Sequence, residues 1–152
     1  MRHTDHFATL ERFHELLPVG DDFTLLILKG HLLIEEQIQL LLERRLPKAY
    51  ALKDARLTFY QKICLAEAVI EECQTDRKDI WLWTALKELN RLRNIIAHNV
   101  LATGIEDRMT DFIGLVSYKL GSCNLRHDFE SALWSACSEV HTRTGPPDPD
   151  LV

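Results

Sequence analysis

A chain of 152 residues, 46% hydrophobic and 27% charged, has the size and balance of a single domain with a core of its own. A net charge of −5 argues against nucleic-acid binding over the whole surface and leaves room only for a local basic site. The longest uninterrupted apolar run is four residues, as at 25–28, far short of the roughly 20 that a membrane-spanning helix needs, so no membrane partner is expected.

Cys64, Cys73, Cys123 and Cys137 form no CxxC pair, and no signal peptide is expected before them, which argues against a zinc ribbon or a disulfide framework. They read as reduced thiols in a cytoplasmic protein. Segment 5–17 places Phe7, Leu10, Phe13, Leu16 and Leu17 at helical spacing and ends at Pro18 and Gly20. His3, His6 and His14 lie here without an acid or cysteine spaced to complete a ligand set, so they read as surface residues. Asp21 or Asp22 caps a long second helix that Pro47 stops, to about Leu46. Its apolar residues occupy nearly the whole circumference, the pattern of a helix facing its own core on one side and another subunit on the other. Within it His31 and Glu35 are four residues apart, and Glu35 or Glu36, set among leucines, needs a cation from another helix.

A third helix is predicted over 54–73, with Leu57, Tyr60, Ile63, Cys64, Ala68 and Val69 inward and Thr75 or Asp76 capping the next. The fourth runs over 77–100, with Trp81 and Trp83 near its start as packing residues. Residues 102–104 break the pattern. A shorter helix follows over 107–120, weakened by Gly114, then a turn at 121–124. The last helix, 126–142, packs through Phe129, Leu133, Trp134, Ala136, Cys137 and Val140. His127 and Asp128 are adjacent and point apart, which makes them surface residues. No period-two strand and no internal repeat occurs. The expectation is all-α: an up-and-down bundle of about five to six helices in one domain, 1–144, with a proline-rich disordered tail, 145–152.

The fourth helix carries the densest cluster of potentially reactive side chains, at 87–99, KELNRLRNIIAHN. At 100° per residue Lys87, Arg91, Asn94 and His98 share an arc of about 60°, opposite Leu82, Leu86, Leu89, Leu92 and Ile96. One face is for the core, and the expectation for the other is a polar, anionic partner. His98 sits near the helix C-terminus, where the dipole favours positive charge, with the Asn94 amide one turn away to orient its ring. Arg93 lies about 140° from His98, inside the apolar arc, and there requires an acid. Glu35 and Glu36 are the acids at hand, and breaking such a buried pair costs about 3 to 5 kcal/mol.

The string 93–98, RNIIAH, resembles the arginine, polar residue, spacer and histidine signature of the HEPN family, the higher-eukaryote and prokaryote nucleotide-binding domains. The match is six contiguous residues with three specified, set in a helical layout of the right size. Arg93, Asn94 and His98 take the motif positions, with Arg91 as a second arginine at a permitted separation. Glu35, then Glu36, fits the supporting acid of an earlier helix. Lys87 adds charge on the same face. The resemblance implies a helical bundle that dimerises so that two motifs line one cleft, and a metal-independent endoribonuclease needing no cofactor. In that chemistry the RNA 2′-hydroxyl attacks its own phosphate, His98 moves the proton and Arg93 stabilises charge on the phosphoryl oxygens, giving 2′,3′-cyclic phosphate ends. Many such proteins are toxins of bacterial toxin-antitoxin or defence modules, so an antitoxin, nucleotidyltransferase-like in kind, is an implied partner. The alternative is a non-catalytic nucleotide-binding, RNA-binding or regulatory dimerisation module of the same fold. An unrelated helical oligomerisation protein is the third reading. No glycine-rich phosphate loop, HExxH zinc site or Gly-x-Ser-x-Gly elbow is present.

Overall fold

The computed structural model of the chain describes residues 2–20, 22–71, 81–99, 103–116 and 124–146. These residues form α1 (Arg2–Leu16), α2 (Phe23–Arg45), a short 3-10 helix (Ala49–Leu52), α3 (Phe59–Val69), α4 (Trp81–His98), α5 (Ile105–Leu115) and α6 (Leu125–Thr144). The fold is all-α, with no strand among the described residues. No helix in them is long and apolar enough to cross a membrane. The expected cap at Thr75 or Asp76, the turn at 121–123, and Cys73 and Cys123 lie outside the described residues, as does the tail from 147 onward.

Helix α2 is the axis of the bundle. It packs most extensively on α6, then on α3 and α4, while α5 lies against α4 and α6 and α1 rests on α6. The Asp22 side chain caps it by accepting from the Leu25 N–H, and its chain exits through Leu46 before Pro47. Leu26, Ile27, Ile34, Ile38 and Leu41 are fully buried. Gly30 allows α6 to approach closely: a Cβ there would stand 2.6 Å from Leu133 Cδ1. At the far end Gln37 donates to Thr144 Oγ1 at 3.0 Å, and Arg44 and Arg45 donate to the carbonyls of Gly145 and Arg143. This clasp satisfies carbonyls at the end of α6 and carries the helix to Thr144, two residues past its predicted end.

Helix α3 departs from expectation. It begins at Phe59 rather than near Asp54, because Thr58 and Gln61 form a capping box: Thr58 Oγ1 accepts from the Gln61 N–H and Gln61 Oε1 accepts from the Thr58 N–H. The inward set is accordingly Phe59, Ile63 and Ala66, while Tyr60 is 50% exposed and Ala68 is exposed. Helix α4 keeps its predicted stripe, with Leu82, Leu86, Leu89 and Leu92 fully buried and Trp83 joining them. In α6, Phe129, Leu133, Ala136, Cys137 and Val140 are buried as predicted. Trp134 is partly buried and meets the Phe13 ring edge-on at 5.4 Å. His127 is exposed, but Asp128 is buried in the first turn of α6, where the helix dipole favours its charge.

Candidate functional site

The polar side chains of α4 fall into two groups along the helix. The first is engaged by carboxylates: Lys87 Nζ lies 2.6 Å from Glu67 Oε2 on α3, and Glu88 faces Arg91 at 3.3 Å and Arg108 of α5 at 3.5 Å. The hydrogen bond that Lys87 donates to Glu67 raises its ammonium above its ordinary pKa. Apart from Glu88, whose side chain is mostly buried, these groups are partly exposed to solvent, and the pairs knit α3, α4 and α5 together with modest energy. The second is different. Arg93 is partly buried, and its Nη1 donates to Asn94 Oδ1 at 3.1 Å. It has no carboxylate within ion-pair distance among the described residues, and its buried Nε has no hydrogen-bond partner there.

The expected ion pair between Arg93 and α2 is therefore absent, because both acids are taken by other cations. Glu36 turns outward and binds Arg12 of α1 at 2.6 Å. Glu35 Oε1 accepts from Lys62 of α3 at 3.0 Å, and Glu35 Oε2 lies 3.6 Å from His31 Nε2. Asn94 likewise faces away from its expected task, accepting from Arg93 rather than bonding to His98. His98 is exposed at the end of α4, and Asn99 closes the helix by donating to the Ile95 carbonyl at 3.1 Å.

Beneath these groups lies His31, 3% exposed, its ring edge-on to Phe59 at 4.3 Å. Desolvation pushes its pKa down to about 4, with Glu35 opposing and the nearby charges of Arg93 and Lys62 reinforcing the shift. His31 is thus neutral at pH 7, and its buried Nε2 has no hydrogen-bond partner among the described residues. Three helices meet here: His31 and Glu35 come from α2, Lys62 from α3, Arg93 from α4. A shallow groove of about 470 Å³ opens at Glu35 and Lys62 and runs outward over Leu32, Glu36, Leu40 and Glu43.

The structure thus brings Glu35 into the neighbourhood of Arg93 through His31, and sets Glu36, Lys87 and Arg91 in other pairs. Lys62 escaped sequence reasoning. Its signal was the Thr58-x-x-Gln61 capping box, which starts α3 at Phe59 and leaves Lys62 at the edge of the buried stripe. Among the described residues no three His, Cys, Asp or Glu side chains are grouped as metal ligands. Cys137 is buried, and its thiol is pushed up to about 12 by desolvation, which makes it a core thiol and not a nucleophile.

In comparisons with protein-family models, curated proteins and solved structures, nothing matches this chain.

Proposed function

We propose that the chain is a metal-independent endoribonuclease of the HEPN type, working as a cytoplasmic homodimer on RNA, with Arg93, Asn94 and His98 at the reacting phosphate. One observation carries the reading: among the described residues Arg93 has no carboxylate partner, and of these residues only Asn94, through its neutral amide, bonds its guanidinium. An arginine not neutralised by an acid retains its capacity for an anion, and a phosphoryl oxygen is the ligand its fork suits. His98 stands five residues on, exposed at the helix end, where it can exchange a proton with the 2′-hydroxyl or the departing 5′-oxygen. Arg93 stabilises the charge that accumulates on the phosphoryl oxygens. A two-fold assembly supplies the second Arg93 and His98 that one chain, with these residues diverging around α4, does not bring together. In such a system the protein is the toxin of a toxin-antitoxin or defence module, with a nucleotidyltransferase-like antitoxin as partner.

The engagement of Lys87 and Arg91 by Glu67 and Glu88 favours a second reading, a non-catalytic nucleotide- or RNA-binding or regulatory module, because few free cations then face a strand. Incubation of a mixed-sequence RNA with wild type and with His98→Ala, both in excess EDTA, separates the two. Cutting by the wild type into 2′,3′-cyclic phosphate ends, reduced about 100-fold or more in the variant, is the expected result. A DNA strand of the same sequence survives. Failure of the wild type to cut a broad set of RNAs removes the catalytic reading, and equal cutting by both proteins places the activity elsewhere.

A further inference from the structure

The outward face of α2 carries a stripe that the rest of the described chain leaves partly open, with Leu25 and Leu32 exposed and Leu33 packing its inner side against the core. Leu25, Lys29, Leu32 and Glu36 follow one another at steps of four, three and four residues, the spacing of a helix-packing seam. Leu32 is 56% exposed and Leu25 39%. With Leu33 and Leu40, both partly buried, these residues fall within an arc of about 100°. Lys29 is exposed and has no ion-pair partner among the described residues. Glu36 uses Oε2 for Arg12, which leaves Oε1 available.

The pattern is self-complementary about its middle. We propose that this face is the interface with a second copy of the chain, α2 packing antiparallel on its counterpart about a two-fold axis that passes between Leu32 and Leu33. In that register Lys29 faces the partner's Glu36, Leu25 faces the partner's Leu40, and Leu32 meets the partner's Leu33, each contact occurring twice. A parallel arrangement sets Lys29 against Lys29 and Glu36 against Glu36, so the charges select the antiparallel one. The overlap, residues 25–40, spans about 24 Å of helix, enough for a central leucine cluster flanked by two ion pairs. The interface is argued from α2 alone and puts no requirement on Arg93 or His98, so it stands apart from the ribonuclease reading. A wild-type dimer that cuts no RNA removes that reading and leaves this one.

Sedimentation equilibrium of the full chain tests it, on wild type, K29E, E36K, the double reversal K29E/E36K, and L32E, with circular dichroism to verify folding. The expected result is a wild-type dimer, weakened about tenfold or more by either single reversal, restored by the double reversal, and abolished by L32E. The charge variants lie on the exposed surface and keep the test decisive should L32E fail to fold. A monomeric wild type overturns the interface. A dimer indifferent to the single reversals overturns the register, and one indifferent to a folded L32E assigns the contact to another face.

Discussion

Lys62 Nζ on α3 lies 3.0 Å from Glu35 Oε1 on α2, and the pair is only about one-fifth exposed on each side, with side-chain exposures of 18% and 23%. This carboxylate is satisfied without help from α4. Arg93, the neighbouring cation, thereby keeps a charge that no acid of the described chain neutralises.

The first prediction follows from that division. Arg93→Met keeps the aliphatic stem and removes a guanidinium with a buried, unpartnered Nε. Its effect on unfolding free energy in urea should fall between a slight gain and a loss of about 1 kcal/mol. RNA cleavage should fall by about 100-fold or more. A stability loss of about 3 to 5 kcal/mol would mean that Arg93 is a buried ion-pair partner after all, and would remove the ground on which the proposed function stands.

The depressed pKa of His31 makes stability depend on pH with a definite sign. The folded value is about 4 and the ordinary value 6.5, so below pH 6.5 the unfolded chain binds the proton and the folded one does not. The contribution is therefore full above about pH 6.5 and is lost as pH falls toward 4. The whole loss is about 3 kcal/mol, of which about 2 kcal/mol falls between pH 7 and pH 5. Urea titrations of wild type and His31→Leu at those two pH values isolate it from the carboxylates. The variant should be at least as stable at pH 7, since it removes an unpartnered buried nitrogen, and should lack this part of the pH slope. Equal slopes in the two proteins would show that His31 is not desolvated in the folded state.

Glu35 and Lys62 should behave as one unit. Glu35→Gln strands a largely buried ammonium, and a loss of about 1 to 3 kcal/mol is expected. Lys62→Met does the reverse, and the double variant should recover part of the sum of the two losses, giving a coupling energy of about 1 kcal/mol in a thermodynamic cycle. Because Glu35 is the one influence that raises the His31 pKa, its neutralisation should also move the His31 ring-proton titration, followed by NMR, further below 4. Strict additivity would remove the ion pair as an energetic contributor.

Thr58→Ala tests what starts α3. It removes one half of a reciprocal cap and should cost about 1 kcal/mol, whereas Thr58→Ser should be nearly neutral. Thermal denaturation of the three proteins measures it. Since α3 carries Lys62 and Phe59, the same change should loosen the packing around His31 and raise its pKa toward the ordinary value.

Much of the bundle was legible because helical periodicity is local. The leucines of α4 and the aromatic and aliphatic residues of α6 recur at intervals that leave one inward face, whatever they pack against. Asp22 and Pro47 bound α2 for equally local reasons, a side-chain cap and a missing N–H. The start of α3 was also written in the sequence, in Thr58 and Gln61, but a weaker acid at Asp54 drew the boundary five residues early. That shift turned Tyr60 inward on paper and hid Lys62.

Which cation meets which carboxylate was not legible. Glu35 and Glu36 are consecutive, and the 100° turn between them sends one toward α3 and the other toward α1. The sequence by itself determined that the chain is helical, where its apolar faces lie, and that Arg93, Asn94 and His98 share the end of one helix. Only the tertiary structure decided that Lys62 takes the acid, that His31 is sealed beneath it with a lowered pKa, and that Arg93 is left without a counter-charge among the described residues. The physical reason is range: caps and periodicity act within a few residues of chain, whereas ion pairing and desolvation depend on groups 27 to 62 positions apart being packed to within a few ångströms.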